Sequence, residues 1–315
     1  MRRLVLAVLV CALAVLPGCG FGAGETGSGD VTLTVTRDFG NERLGEGVEE
    51  GDANGDTVMR QLQRSYRVGT RYGGGFVQDI DGVRGGREDG RQVDWFYYVN
   101  GVEMPVGSAE RRLAGGDRVW WDHHPWDEAQ RIPAVVGSFP EPFLSGLEGK
   151  RFPVRLVCMT SVERSCDEVE ARLSDAGVRG ISRAVYQQSG GEQVVRVLVG
   201  TWADVRRDGI TRRLERGPGA SGVFARPSAS GSEIALLDSA GETAQTLGAG
   251  GGLVAATSVE SQGPTWLVTG TDDVGVAAAA AALTEDRLRE RFAVAIEAGR
   301  DVSLPVPSEP IERAP

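Results

Sequence analysis

The chain has 315 residues, enough for two ordinary domains, and its 41% hydrophobic and 25% charged residues give the balance of a globular protein. Its formal net charge is -10. An acidic surface repels phosphate backbones, so we predict no nucleic-acid partner.

The N-terminus has the pattern of an export signal. Two arginines precede an unbroken apolar run from Leu4 to Leu16, which is too short to cross a bilayer of about 30 Å as a helix. The run leads into the letters LPGC, which resemble a bacterial lipobox. This resemblance implies that residues 1–18 are a lipoprotein signal peptide and that Cys19 is lipidated, which would anchor an extracytoplasmic protein to the cell membrane. Residues 19–30 are rich in Gly and Ser and form the predicted flexible tether.

Four cysteines occur in the chain, and Cys11 would leave with the signal peptide. With Cys19 lipidated, Cys158 and Cys166 remain as a pair. In an exported protein a disulfide is the default for such a pair, and a two-cysteine metal site is the weaker alternative.

The elements up to residue 126 alternate between short strands and one helix. The letters VTLTVT at 31–36 have the period-2 pattern of a half-buried strand, and a helix begins near Thr57. Residues 76–80 form a further strand. The aromatic strand 94–101 ends in an Asn-Gly turn, and a turn at 113–117 leads into a strand at 118–121.

This order of motifs resembles the transcobalamin-C-terminal-like domain family of exported bacterial proteins. The matching features are Thr57-Val58 at the helix start, IDG after the strand at 76–80, the strand WFYYVNG and the letters GGDRVWW. The resemblance implies that residues 31–126 form an α+β, β-grasp-like domain in which one helix crosses a sheet. It also implies a binding role, with cobalamin as the ligand of the best-known relatives.

The rest of the chain has a different pattern. Residues 127–150 are a Pro-rich connector whose apolar side chains indicate packing across a domain boundary, and residues 151–300 form a predicted α/β domain. We expect a capping box at Ser165–Glu168 and a last helix that Thr284 caps and that places Leu288, Phe292 and Ala295 on its inner face. Residues 301–315 are a predicted disordered tail.

The segment WWDHHPW at 120–126 holds both histidines and three of the six tryptophans. Neighbouring residues of a strand face opposite ways, so His123 and His124 cannot both bind one metal, and we predict no metal site and no catalytic residue. Two interpretations remain: a domain interface, or a surface for a ligand or partner. The tentative binding residues are Trp95, Tyr97, Tyr98, Trp120, Trp121, His123, His124 and Trp126.

Two functions fit these features. The first is a lipid-anchored binding protein that captures a small molecule at the outer face of the membrane, without enzymatic activity and without a cofactor. The alternative is a structural or interaction lipoprotein that contacts envelope proteins. An enzymatic interpretation, a hydrolase activity in the α/β domain, is a third and weaker alternative, because no GxSxG, Walker or Rossmann motif occurs.

Overall fold

The computed structural model describes residues 30–45, 55–185, 193–259 and 262–308. Within these ranges the protein is a mixed α/β structure that consists mostly of β-sheets, with few helices. None of the helices in the described ranges is long and apolar enough to span a membrane. The predicted signal peptide, Cys19 and most of the tether lie outside the described residues.

Among its described residues the N-terminal half contains one α-helix and nine strands. The helix α1 covers Val58–Ser65. The strands are β1 (Thr32–Arg37), β2 (Glu42–Arg43), β3 (Val68–Arg71), β4 (Phe76–Ile80), β5 (Val83–Arg84), β6 (Gly86–Glu88), β7 (Arg91–Val99), β8 (Val102–Glu103) and β9 (Arg118–Pro125).

The main N-terminal sheet has the order β2-β1-β9-β7-β6, and β8 pairs with β7. Strand β9 lies between β1, to which it is parallel, and β7, to which it is antiparallel. Helix α1 begins at its N-cap Thr57, whose hydroxyl accepts a hydrogen bond from the Arg60 amide. Its apolar side chains, Met59 and Leu62 among them, pack on one face of this sheet. The predicted strands and helix start are confirmed.

The C-terminal half contains five helices and ten strands among the described residues. The helices are α2 (Glu163–Asp175), α3 (Trp202–Val205), α4 (Pro218–Ser221), α5 (Asp273–Ala281) and α6 (Glu285–Leu288). The strands are β10 (Val154–Cys158), β11 (Ile181–Arg183), β12 (Val195–Thr201), β13 (Ala225–Pro227), β14 (Ile234–Leu237), β15 (Thr243–Leu247), β16 (Gly252–Thr257), β17 (Thr265–Gly270), β18 (Ala293–Glu297) and β19 (Arg300–Leu304).

Seven of these strands form a central sheet of order β11-β10-β12-β17-β16-β18-β19. The first four are parallel to each other, and β16, β18 and β19 are antiparallel to their neighbours. Helices α2 and α5 cover one face of this sheet through Leu173 and Ala279. The other face packs against the small sheet β13-β14-β15 and against Tyr98 and Trp120 of the N-terminal sheet. The two halves therefore share one hydrophobic core.

The connector packs between the two halves. Val136 and Phe139 are buried with the α2 side of the central sheet, whereas Ile132 and Val135 are buried with the opposite side. This burial agrees with the packing expected from the apolar content of the connector.

Helix α2 begins earlier than the sequence predicted. A 3-10 turn leads directly into the helix at Glu163, so the expected capping box at Ser165–Glu168 is wrong. Ser165 and Cys166 are buried inside the helix, and Cys166 forms the predicted disulfide with Cys158. Ser165 does not cap the helix because Val162, three residues earlier, is the N-cap residue.

The expected last helix is also wrong beyond Leu288, where α6 ends. Residues 293–297 form β18 because this apolar stretch pairs with β16 and is buried on both faces. The predicted disordered tail is corrected as well, since Arg300–Leu304 is β19. Ala298 and Gly299 both have positive φ, and they form the two-residue hairpin turn that joins β18 to β19. Residues 309–315 lie outside the described ranges.

Candidate functional site

The aromatic residues of β7 and β9 divide between the two faces of the N-terminal sheet. Trp95, Tyr97 and Trp121 belong to the core under α1. Tyr98 and Trp120 belong to the core shared with the C-terminal half. This division follows from the two-residue period of a strand. The eight residues predicted as a binding surface therefore do not converge on one site.

On the α1 face the polar atoms of Trp95 and Tyr97 bond to nearby backbone. The Trp95 indole donates to the Val83 carbonyl at 3.0 Å, and the Tyr97 hydroxyl donates to the Val106 carbonyl at 2.6 Å. Tyr97 and Trp121 stack with their ring centroids 4.9 Å apart. Burial raises the pKa of the Tyr97 phenol well above its ordinary value. These contacts are those of a hydrophobic core.

On the opposite face a continuous group of rings joins the two halves, and we call it the aromatic seam. Phe292, which precedes β18, lies at its centre. Phe292 contacts the rings of Trp120 at 5.1 Å and Tyr98 at 5.6 Å between centroids. The members of the seam are Phe39, Phe96, Tyr98, Trp120, His124, Phe224 and Phe292.

A buried Asp-His pair lies within the aromatic seam. Asp122 Oδ1 is 2.7 Å from His124 Nδ1, and the imidazole is stacked between Phe39 and Phe96. The same carboxylate accepts hydrogen bonds from the amides of Phe39 and Gly40, at 3.0 and 2.8 Å. Neither Asp122 nor His124 is more than 2% exposed. Through the two amide bonds to Asp122, the pair holds the loop after β1 in place.

His123 faces away from His124, as the alternation of strand residues predicted, and lines a small cleft of about 310 Å³. Its Nε2 lies 3.1 Å from the carbonyl of Arg84. Because a carbonyl oxygen only accepts hydrogen bonds, Nε2 carries the proton. Burial lowers the pKa of His123, which favours the neutral ring. Within the described ranges no group of three or more His, Cys, Asp or Glu residues could hold a metal ion.

Trp126 lies just beyond β9 and is half-buried. Its indole donates a hydrogen bond to Asp94 Oδ2 at 3.0 Å, so it links the segment after β9 to strand β7. Burial raises the pKa of Asp94, and the bond from Trp126 opposes that rise.

The larger cleft, of about 1050 Å³, lies between the two halves and on the connector. Its volume is slightly above the usual range for small-molecule sites, about 300–1,000 Å³. The lining residues come from β8, the connector, the segment around α4 and the end of β16. Those with charged side chains are Glu103, Asp127, Glu128, Arg131 and Arg213. We call this space the interdomain cleft.

Glu103 connects the interdomain cleft to the aromatic seam. Its carboxylate accepts from the Ile132 amide at 2.9 Å and from Arg131 Nε at 3.4 Å. Burial raises the pKa of Glu103, and Arg131 opposes the rise. Tyr98 pairs with Glu103 across β7 and β8, and its buried hydroxyl has no hydrogen-bond partner among the described residues. Tyr98 is fully buried behind Glu103 and does not itself line the cleft.

The sequence did not identify the interdomain cleft. None of the eight predicted binding residues lines it. Its lining comes from segments far apart in the chain, and residues such as Glu103 and Arg213 lie in no recognisable motif. Only the apolar connector indicated that the two halves would meet here.

In comparisons with known proteins, one segment matches a family model. Residues 55–124, less than a quarter of the chain, match the model of a domain of unknown function, DUF4430. This segment runs from just before α1 to β9 and lies inside the predicted domain 31–126.

One solved structure, from Ruminococcus gnavus and described as a proposed metal-binding protein, is similar over 31% of this chain and 98% of its own. The identity is 18% and the TM-score is 0.25, so this similarity carries no argument about function. No protein of curated function matches the chain.

Proposed function

We propose that this protein is an extracytoplasmic, lipid-anchored binding protein that captures a small molecule in the interdomain cleft. One observation carries the proposal: a cleft of about 1050 Å³ lies where both halves and the connector meet, and it is lined by charged and backbone groups. Sites for small molecules occur preferentially at such domain boundaries.

The proposal takes residues 31–126 as a β-grasp-like, transcobalamin-like domain and residues 151–300 as a separate α/β domain. The crossing of α1 over the sheet that contains β1, β9 and β7 supports the first assignment. The parallel strands β10, β12 and β17, covered by α2 and α5, support the second.

The proposed export and anchoring rest on the sequence before residue 30 and on one structural feature. The disulfide between Cys158 and Cys166 is of the kind that persists in oxidising compartments. If Cys19 carries the lipid, labelling of the cells with radioactive palmitate should mark the wild-type protein and not the Cys19→Ser variant. Equal labelling of both would reject the anchor.

We propose binding without chemical transformation of the ligand. The residues known to line the interdomain cleft include no histidine or cysteine, and Ser221 uses its hydroxyl to bond the Gly217 carbonyl. Neither histidine lines this cleft, so neither offers an imidazole to a corrinoid cobalt there. The assignment of cobalamin as the ligand is therefore supported by the resemblance alone. A hydrolase activity stays an alternative without a supporting residue.

A second candidate is a structural or interaction lipoprotein with no small-molecule ligand. The observation that favours it is the burial of the aromatic seam, which leaves Tyr98, Trp120 and His124 unable to stack on a ligand. Under this alternative the rings join the halves, and the outer surface contacts envelope proteins.

Ligand screening decides between the two candidates. Thermal shift and tryptophan fluorescence of the full chain would be measured with corrinoids, other vitamins and cell-wall sugars. The half-buried Ala220 lines the interdomain cleft, and Ala220→Trp should fill it and abolish binding. Ala229 is exposed outside the cleft, so Ala229→Trp should bind normally. Binding that survives Ala220→Trp in a folded protein would reject the cleft as the site.

A further inference from the structure

Arg213 is a half-buried cation on the C-terminal wall of the interdomain cleft. It lies in the 3-10 helix Thr211–Arg216. Among the described residues it makes neither an ion pair nor a side-chain hydrogen bond. Other half-buried arginines have carboxylate partners, as in Arg91–Asp127, Arg206–Glu215 and Arg287–Asp301. The exception thus occurs at the wall of the interdomain cleft.

A cation that is partly removed from water and lacks a partner loses hydration without an electrostatic gain. An anionic group placed next to it recovers that loss, and a guanidinium fits carboxylate and phosphate groups with two parallel hydrogen bonds. Because Arg213 has no ion-pair partner among the described residues, it favours the binding of a ligand with an anionic group.

The other charged groups of the cleft restrict which functional groups the rest of the ligand can carry. Asp127 is paired with Arg91, and Glu128 is exposed. Glu103 accepts hydrogen bonds from the Ile132 amide at 2.9 Å and from Arg131 Nε at 3.4 Å. These carboxylates would repel a second anionic group. They can accept hydrogen bonds from hydroxyl or amide donors of a ligand.

We propose that Arg213 is the anion-binding residue of the interdomain cleft. The ligand is then a small molecule with a single carboxylate or phosphate group and several hydrogen-bond donors, as in a sugar acid or a sugar phosphate. This inference rests on the proposed function, because it names the chemical class that the same cleft would take.

Calorimetric titration of the full chain tests this assignment, with glucuronate and glucose 6-phosphate as anionic probes and glucose as the neutral probe. At constant ionic strength, one anionic probe should bind at least about tenfold more tightly than glucose. Arg213→Gln should weaken that binding by about tenfold or more, and Arg213→Lys by less.

Arg212→Gln is the matched control, because Arg212 is the exposed neighbour of Arg213 and does not line the cleft. It should leave the affinity unchanged, and unfolding curves of both glutamine variants should overlay that of the wild type. Whichever anionic probe binds identifies the carboxylate or the phosphate as the preferred group.

Three results would overturn the assignment: equal affinity of glucose and the anionic probes, unchanged affinity in Arg213→Gln, or no binding of either anionic probe. None of these would reject the proposed function. That proposal fails separately, if no ligand in the wider screen depends on the Ala220 wall of the cleft.

Discussion

The central ring of the aromatic seam, Phe292, gives the sharpest test of how the two halves are joined. It is 3% exposed and contacts the rings of Phe39, Tyr98, Trp120 and His124, with centroids 5.1–5.6 Å apart. Phe292→Ala removes a whole buried ring, which costs about 3–5 kcal/mol in protein cores. Each aromatic pair contributes about 0.5–1.5 kcal/mol beyond area burial, which places the expected loss in the upper part of that range.

The free energy of unfolding of Phe292→Ala would be measured by urea titration, with tryptophan fluorescence and far-ultraviolet circular dichroism as the two signals of unfolding. Phe76→Ala is the matched control, because Phe76 is half-buried and has one aromatic neighbour, Tyr72, at 6.3 Å. It should cost about 1 kcal/mol. A loss for Phe292→Ala no larger than that of the control would refute the role of the seam in joining the halves.

Three further predictions concern other parts of the fold. Asp122→Ala should lower the free energy of unfolding by about 3 kcal/mol, because the amides of Phe39 and Gly40 and the imidazole of His124 would lose their acceptor. A loss below about 1 kcal/mol in the same urea titration would contradict this prediction. Reduction of the disulfide should lower the free energy of unfolding by about 2.5 kcal/mol, the value expected for a loop this short. Thermal unfolding with and without reductant measures the effect, and an unchanged melting temperature would contradict the prediction. Burial raises the pKa of Glu141, so its folded pKa exceeds its unfolded pKa, and its contribution to stability is present at low pH and is lost as pH rises through the folded pKa. Glu141→Gln should therefore gain stability relative to the wild type as the pH rises from below the ordinary glutamate pKa toward neutrality, and a stability difference that stays constant over this range would refute the shift.

The sequence predicted the elements whose pattern is local. The strand at 31–36, the helix start at Thr57 and the Asn-Gly turn after β7 follow from residue periodicity and turn chemistry, and all three are present. The disulfide followed from the number of cysteines together with the expectation of export.

The errors in the prediction have tertiary causes. Residues 293–297 were assigned to a helix from the spacing of Phe292 and Ala295, but pairing with β16 makes them a buried strand. Strand β19 is stabilised by its partner β18, and three of its five residues are polar, as in a disordered tail. The interdomain cleft is the extreme case, because it exists only after the two halves have packed together.

Hydrogen–deuterium exchange is the measurement that tests binding in the interdomain cleft most directly. It would compare the full chain alone with the full chain saturated by the strongest ligand from the screen. The account predicts slower exchange of backbone amides at 102–105, 127–133 and 219–222, which line the cleft from both halves and the connector. Slower exchange confined to the small cleft around His123, or to the outer surface, would contradict it.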